Sequence, residues 1–219
     1  MTPSIDRDRT IRVSEVYASV QGESTHVGKP CVFIRLTGCN LRCRWCDTTF
    51  SFTGGTWRPI EDVVAEALGF GIRTVEVTGG EPLVQRGAVP LMQALLDAGC
   101  EVLLETSGSR PIGEVPEGVH IILDLKAPDS GEERANLWEN LDRLRPTDEI
   151  KVVLASEADY AWAVEVVRTR SPKVPVLFSP VWGALDPTWL AERIVADRLP
   201  VRYQLQLHKV LWPADARGV

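Results

Sequence analysis

Short β-branched runs recur along the chain, each followed by a turn and then by an amphipathic stretch, the pattern of repeated βα units. The runs that predict strands cover residues 32–37, 74–78, 101–106, 119–126, 149–154, 174–179 and 202–207, with a further strand or ribbon over 11–19. Helices are predicted between them. The stretch 59–70 opens on Pro59, carries Glu61 and Asp62 in its first turn and ends near Gly71. The stretch 89–98 stops at Gly99, a residue that accepts the left-handed conformation of a helix end. A helix over 136–144 stops before Pro146, one over 157–168 alternates apolar faces, and one over 187–197 ends before Pro200.

Strands this apolar are expected to be covered on both faces, which implies a parallel sheet. About six βα units fall short of a closed eight-fold barrel, which takes roughly 250 residues. The expected fold is therefore α/β, a partial, open (β/α)6-type barrel with some units trimmed. No linker, low-complexity tract or charge block divides the chain, so a single domain over residues 1–219 is expected. Active sites of such folds lie at the carboxyl ends of the strands. Polar motifs fall at those places: 38–46, 78–81, 106–108, 124–126, Ser179 with Pro180, and His208.

Composition narrows the class. Apolar residues make up 44% and charged residues 25%, the balance of an ordinary globular protein. No apolar run approaches the length of a membrane span. Residues 1–10 read MTPSIDRDRT, without the apolar stretch of a signal peptide, so a cytoplasmic protein is expected. A net charge of −6 argues against a nucleic-acid partner, whose phosphates need a basic face. The basic piece 168–170 reads as the solvated end of a helix.

There are five cysteines, an odd number, and three of them fall within eight residues. A disulfide framework would be evenly counted and more widely spread. Cys31 and Cys100 lie in apolar segments, CVFIRL and CEVLLE, and read as small buried hydrophobes. Cys39, Cys43 and Cys46 form C-x3-C-x2-C in a polar loop after a strand. Three thiolates can cap three irons of a 4Fe–4S cubane, and the fourth ligand must come from elsewhere. A Cys3His zinc site could use His26, His120 or His208, but zinc spacing usually sets two ligands against two distant ones. An electron-transfer cluster would call on a fourth cysteine, and only Cys100 is left. Ligand count favours a cluster with one open iron.

The loop resembles the cluster-binding loop of the radical S-adenosylmethionine (SAM) superfamily, with Trp45 in the aromatic place before the last cysteine. Thr78-Gly79-Gly80-Glu81-Pro82-Leu83 resembles the superfamily's GGE motif, where glycines let the backbone approach a ligand and a carboxylate suits the ammonium of methionine. The resemblance implies that Cys39, Cys43 and Cys46 ligate a 4Fe–4S cluster and that the amino and carboxylate groups of SAM take the fourth iron. One electron, from a flavodoxin- or ferredoxin-like donor, then releases a 5′-deoxyadenosyl radical.

The segment Tyr17-Ala18-Ser19-Val20-Gln21-Gly22-Glu23-Ser24, with Gly28-Lys29-Pro30, Val32-Phe33-Ile34-Arg35, Cys46-Asp47-Thr48 and Gln206-Leu207-His208-Lys209, resembles the 7-carboxy-7-deazaguanine synthase family of the 7-deazapurine (queuosine) pathway. This likeness covers almost the whole chain. It implies a carbon–nitrogen lyase that converts 6-carboxy-5,6,7,8-tetrahydropterin to 7-carboxy-7-deazaguanine with loss of ammonia, regenerating SAM. By the same resemblance Val20, Gln21, Gly22, Glu23, Arg35, Thr78 and His208 contact the pterin. Gln21 and Glu23 can read its amide-and-amine edge, and Arg35 can clamp its carboxylate. Thr48 matches a magnesium position, with the other oxygens supplied by substrate and water. Gly79, Gly80, Glu81, Thr106, Ser107, Asp124, Leu125, Lys126, Ser179 and Pro180 complete the cofactor groove. Ser24 stands where the family usually has glycine. The tail 212–219 closes the pocket or makes a dimer contact, and a homodimer is expected. The competing readings are a glycyl-radical-enzyme activase, which acts on a protein and has no need of a pterin-reading QGE, and an iron–sulfur electron carrier, which has no need of GGE.

Overall fold

The computed structural model describes residues 9–219, so most of the segment 1–10 read for a signal peptide lies outside the described residues. β1 (Thr10–Val20) and β2 (Pro30–Leu36) form an antiparallel pair, and β1 also pairs antiparallel with β3 (Thr56–Pro59). From β2 the sheet continues in parallel and in chain order through β4 (Thr74–Gly79), β5 (Glu101–Thr106), β6 (Val119–Lys126), β7 (Glu149–Leu154), β8 (Val176–Pro180) and β9 (Arg202–Tyr203). The order β3-β1-β2-β4-β5-β6-β7-β8-β9 leaves β3 and β9 as edges, the open barrel that was expected.

Helices α1 (Ile60–Gly69), α2 (Ala88–Asp97), α3 (Glu157–Arg170) and α4 (Pro187–Ala196) stand where the periodicity places them. The Ser156 side chain accepts from the Asp159 amide and starts α3. Two expectations need correction. Residues 136–144 form no α-helix but a 3-10 segment at Trp138–Arg143. Asn136 bridges the Lys126 amide and carbonyl, and Asn140 bonds Gly108 O, Arg110 O and Ile112 N. These amides serve loop backbone, so the segment follows the loops rather than a helical repeat. The predicted strand 202–207 ends at Tyr203, and His208 lies in the short helix α5 (Leu207–Leu211).

Alternation along each strand sorts residues between two environments. Ile34, Val77, Leu104, Leu123, Val152 and Phe178 face outward into apolar cores. Register partners share a face, so Arg35 sits beside Thr78 and Asp124 beside Lys151 on the inner side. The inner face is thus polar where the strand pattern implied apolar cover on both sides. Charged residues are interspersed singly in each run, too sparse to disturb its apolar appearance.

Because β1 runs against β2, residues 21–29 start at the amino-terminal end of the parallel strands. There Thr25 donates its amide and hydroxyl to Glu149, and His26 and Lys29 reach Glu101 at 3.1 and 3.0 Å. The His26 ring meets His120 edge-on at 4.7 Å. The connection therefore ties down the starts of β5, β6 and β7. Ser24 adopts φ 63° within it, a left-handed conformation that explains why glycine suits this position.

This clasp should be acid-sensitive. Burial pushes His26 below the ordinary imidazole value, so unfolding takes up a proton once the pH falls past about 6.5. Burial raises Glu149, but the His120 ring 3.4 Å away and the bonds from Thr25 outweigh it and hold the carboxyl below its ordinary value. Its stabilisation is full above the unfolded carboxylate value and is lost as the pH drops through the lowered one. Thermal melts from pH 8 to pH 2 should fall in two stages, and His26→Gln should remove only the upper one. A variant whose melts track wild type through that range would contradict the clasp.

Candidate active site

Gly38 turns the chain out of β2 at φ 106°, and its amide is fixed by Ser51 O at 2.7 Å. The loop that follows carries Cys39, Cys43 and Cys46 into one cavity of about 440 Å³ at the carboxyl ends of the strands. Burial pushes the Cys39 and Cys43 thiols up, so binding a metal there displaces protons. Among the described residues no three His, Cys, Asp or Glu side chains converge as a single metal ion requires. A cubane asks for less, one thiolate at each of three separate irons. Cys31 and Cys100 are buried away from this cavity, as small hydrophobes, and burial raises the Cys31 thiol.

The glycines of GGE permit the cluster loop to sit where it does. A Cβ on Gly79, whose φ is 145°, would run into the Leu36 backbone. One on Gly80 would meet the Gly38 carbonyl and come within 2.7 Å of Cys39 Cβ. Both glycines line the cavity, with Thr106, Ser107, Asp124 and Lys126. Glu81 does not: it is fully buried and accepts from Thr106 Oγ1 at 2.9 Å, Ser107 N at 2.7 Å and Leu83 N at 2.9 Å. It braces the groove from behind. Leu125 alternates outward into the core, and Ser179 and Pro180 are buried at the end of β8, where Val181 and Trp182 form the cavity wall instead.

Inside the barrel two motifs far apart in sequence meet. Glu23 accepts from Gln206 Nε2 at 2.7 Å, and the Leu207 amide donates to Gly22 O at 2.8 Å. A Cβ on Gly22 would strike the His208 ring. Gln21 bonds Glu76 through Nε2 and accepts the Glu23 amide at 2.9 Å. Val20, Gln21, Gly22, Glu23, Thr78 and His208 all line the cavity.

Arg35 lines it too, but is partly engaged: Nε donates to Glu15 at 2.8 Å and Nη2 to the Tyr17 hydroxyl at 3.0 Å. Nη1 and the second Nη2 hydrogen remain as a fork for a ligand. Thr48 precedes the 3-10 turn Thr49–Phe52 without capping it through its side chain, and its hydroxyl lies 3.6 Å from Cys46 Sγ. The tail 213–219 lines the cavity, with Arg217 stacked 3.9 Å over Phe50.

Sequence reading missed Glu76, Glu105 and Lys151. Lys151 Nζ lies 2.6 Å from Glu23, in contact with Glu105, and 3.5 Å from Asp124. Burial and the neighbouring Glu105 hold Glu76 well above the usual carboxylate range. The available signal was a lone charge in the middle of an apolar strand, as in TVEVT and EIKVVL.

The radical SAM superfamily model matches residues 33–154. A protein of Chlorobaculum tepidum named 7-carboxy-7-deazaguanine synthase is 47% identical over 95% of this chain and 97% of its own. One of the same name from Koribacter versatilis is 43% identical over 95% of this chain and 100% of its own. The crystal structure of QueE from Escherichia coli aligns with a TM-score of 0.74 at 26% identity, covering 91% of this chain and 95% of that one.

Proposed function

We propose that this chain, which belongs to the 7-carboxy-7-deazaguanine synthase family of the radical SAM superfamily, converts 6-carboxy-5,6,7,8-tetrahydropterin to 7-carboxy-7-deazaguanine, with loss of ammonia, in queuosine biosynthesis. The observation that carries this reading is the convergence of the Gln21-Gly22-Glu23 turn, Arg35 and Thr78 with the three-cysteine loop in one cavity.

Superfamily membership implies a 4Fe–4S cluster and SAM, and the residues present fit both. Cys39, Cys43 and Cys46 would hold the cluster, and the backbone cradle at Gly79 and Gly80, with Thr106, Ser107, Asp124 and Lys126, would receive SAM. When bound, this pair supplies one-electron hydrogen abstraction. The protein supplies orientation and the exclusion of water. Glu23 and Gln21 accept from and donate to the amine-and-amide edge of the pterin, and the free fork of Arg35 holds its carboxylate. Thr48, whose hydroxyl caps nothing, would contribute one oxygen to a magnesium ion otherwise held by substrate and water. The tail 213–219 lines the cavity and narrows the room for a polypeptide, which disfavours the activase reading, since a polypeptide substrate needs an open groove. A lyase classification, a flavodoxin- or ferredoxin-like donor, a homodimer and a cytoplasmic location belong to the same proposal. No described helix is long and apolar enough to cross a membrane.

Pterin affinity in wild type, Arg35→Ala and Arg35→Lys, measured anaerobically with SAM bound, tests the substrate. Losing the fork leaves a carboxylate unpaired in the pocket and should weaken binding by about 2–5 kcal/mol. Lysine should recover only part of this, because it offers a point charge in place of the two-pronged donor. Equal affinity in all three would defeat the assignment. Thr48→Ala should shift the magnesium titration of activity to higher concentration while SAM cleavage survives. An unchanged titration would remove Thr48 from the ion's ligands.

A further inference from the structure

We infer that Lys151 is the positioning residue of the substrate pocket: its ammonium draws Glu23 and Glu105 together across the barrel and presents both to the pterin as charged acceptors. This rests on the functional reading above. Lys151 projects inward from the middle of β7, in register with Asp124 of β6, and its side chain is only 5% exposed. An ammonium has three hydrogens and no acceptor, and three carboxylates surround this one: Glu23 at 2.6 Å, Glu105 in contact, and Asp124 at 3.5 Å.

Each bond organises a different segment. Glu23 comes from the connection between β1 and β2, and its other oxygen takes Gln206 Nε2 at 2.7 Å. Glu105 comes from β5, and its other oxygen takes the Thr78 hydroxyl at 2.8 Å. Asp124 already has Lys126 at 2.9 Å and depends on Lys151 least. The remaining charged or titratable groups around the cluster are committed or distant: Glu76 bonds Gln21, Arg35 pairs with Glu15, and His208 packs on Gly22. No other described cation reaches Glu23 or Glu105 within ion-pair distance.

The energetics point the same way. Burial raises the Glu23 and Glu105 carboxyls, and the charge and hydrogen bonds of Lys151, joined by Gln206 at Glu23 and Thr78 at Glu105, together outweigh it and leave both below their ordinary value. Without the ammonium, two partly buried carboxylates would face each other, and one or both would take a proton. A protonated carboxyl is a poorer acceptor for the amine-and-amide edge of the substrate. A buried ion cluster is weak support for stability but fixes geometry, and here the fixed groups are those that line the substrate cavity.

The test is anaerobic pterin binding to cluster-loaded wild type, Lys151→Met and Lys151→Arg across pH 6–9, with SAM affinity measured alongside. Wild type should vary less than about threefold over this range, since the lowered carboxyls stay ionised. Lys151→Met should bind at least about tenfold more weakly near pH 7 and recover as the pH rises and Glu23 and Glu105 lose their protons. Lys151→Arg should restore a flat profile at intermediate affinity. SAM affinity should stay within about threefold in both, as Asp124 keeps Lys126. If Lys151→Met does not fold, Lys151→Met with Glu105→Gln removes one carboxylate along with the cation and repeats the test through Glu23 alone. Affinity within twofold of wild type, or a loss equal at every pH, would overturn the inference and leave Lys151 a space-filling residue. Failure of wild type to bind pterin at any pH would instead overturn the functional reading, and this inference with it.

Discussion

Alanine in place of Cys39, Cys43 or Cys46 should abolish the iron–sulfur absorption and all cleavage of SAM, while Cys31→Ala should leave both largely intact. The contrast follows from placement. The three loop cysteines open into one cavity, half-buried, where each thiolate can serve its own iron. Removing one leaves an iron with no substitute thiol in the cavity. Cys31 does not line that cavity: it is buried at the amino-terminal end of β2, the opposite end from the cysteine loop, with its thiol against the Val32 carbonyl. Its loss costs a small cavity and touches no cluster ligand. Iron and sulfide content, the visible spectrum and 5′-deoxyadenosine formation measure both arms. Cleavage retained by Cys43→Ala would sink the cluster assignment.

Gly80→Ala should have an effect nearly as large through the backbone alone. The added methyl would collide with the Gly38 carbonyl and stand 2.7 Å from Cys39 Cβ. Neither neighbour can rotate away, since the Gly38 carbonyl also accepts the Glu81 amide at 2.8 Å and the Gly38 amide is bonded to Ser51. The cluster loop must shift bodily, and with it the spacing of the three thiols. Far-ultraviolet circular dichroism should stay close to wild type, because the collision lies at the carboxyl ends of β2 and β4 and not in the core. Cluster occupancy after reconstitution should fall to a minor fraction. Full occupancy with unimpaired SAM cleavage would show that the loop is not held by this contact. The sequence reading assigned Gly79 and Gly80 to ligand approach; the structure adds that they are first of all the seat of the three-cysteine loop.

The parallel strands were legible because each keeps its outward apolar row intact, as in Ile121, Leu123 and Leu125 of β6. The motif residues were legible because they follow those strands. Two kinds of information were not. Residues 136–144 read as a helix, yet Asn136 and Asn140 spend their amides on the backbone of residues 108–126, a long-range demand that no local periodicity records. Glu76, Glu105 and Lys151 lie inside runs that read as buried apolar strands, and only the assembled sheet shows that alternate positions face a common interior. The same alternation explains why Leu125, adjacent to two groove residues, faces the core.

Which motifs meet is likewise a property of the fold. Gln206 reaches Glu23 because β9 ends at Tyr203 and the chain leaves the sheet for α5, with Gln206 at its start. That contact places the QGE turn and the QLHK segment on one wall of the cavity. Arg35 shows the opposite case. Sequence offered a clamp or a salt bridge as alternatives, and the guanidinium is divided between them, bonded to Glu15 on one edge and open on the other.

The most direct test of the central claim is the reaction itself. Reconstituted protein is incubated anaerobically with reductant, magnesium, SAM and 6-carboxy-5,6,7,8-tetrahydropterin, and the products are resolved by mass. The account predicts a product lighter than the pterin by one ammonia, accumulating over many turnovers while SAM is regenerated. Unchanged pterin beside SAM consumed to 5′-deoxyadenosine would leave a radical enzyme whose substrate is something else.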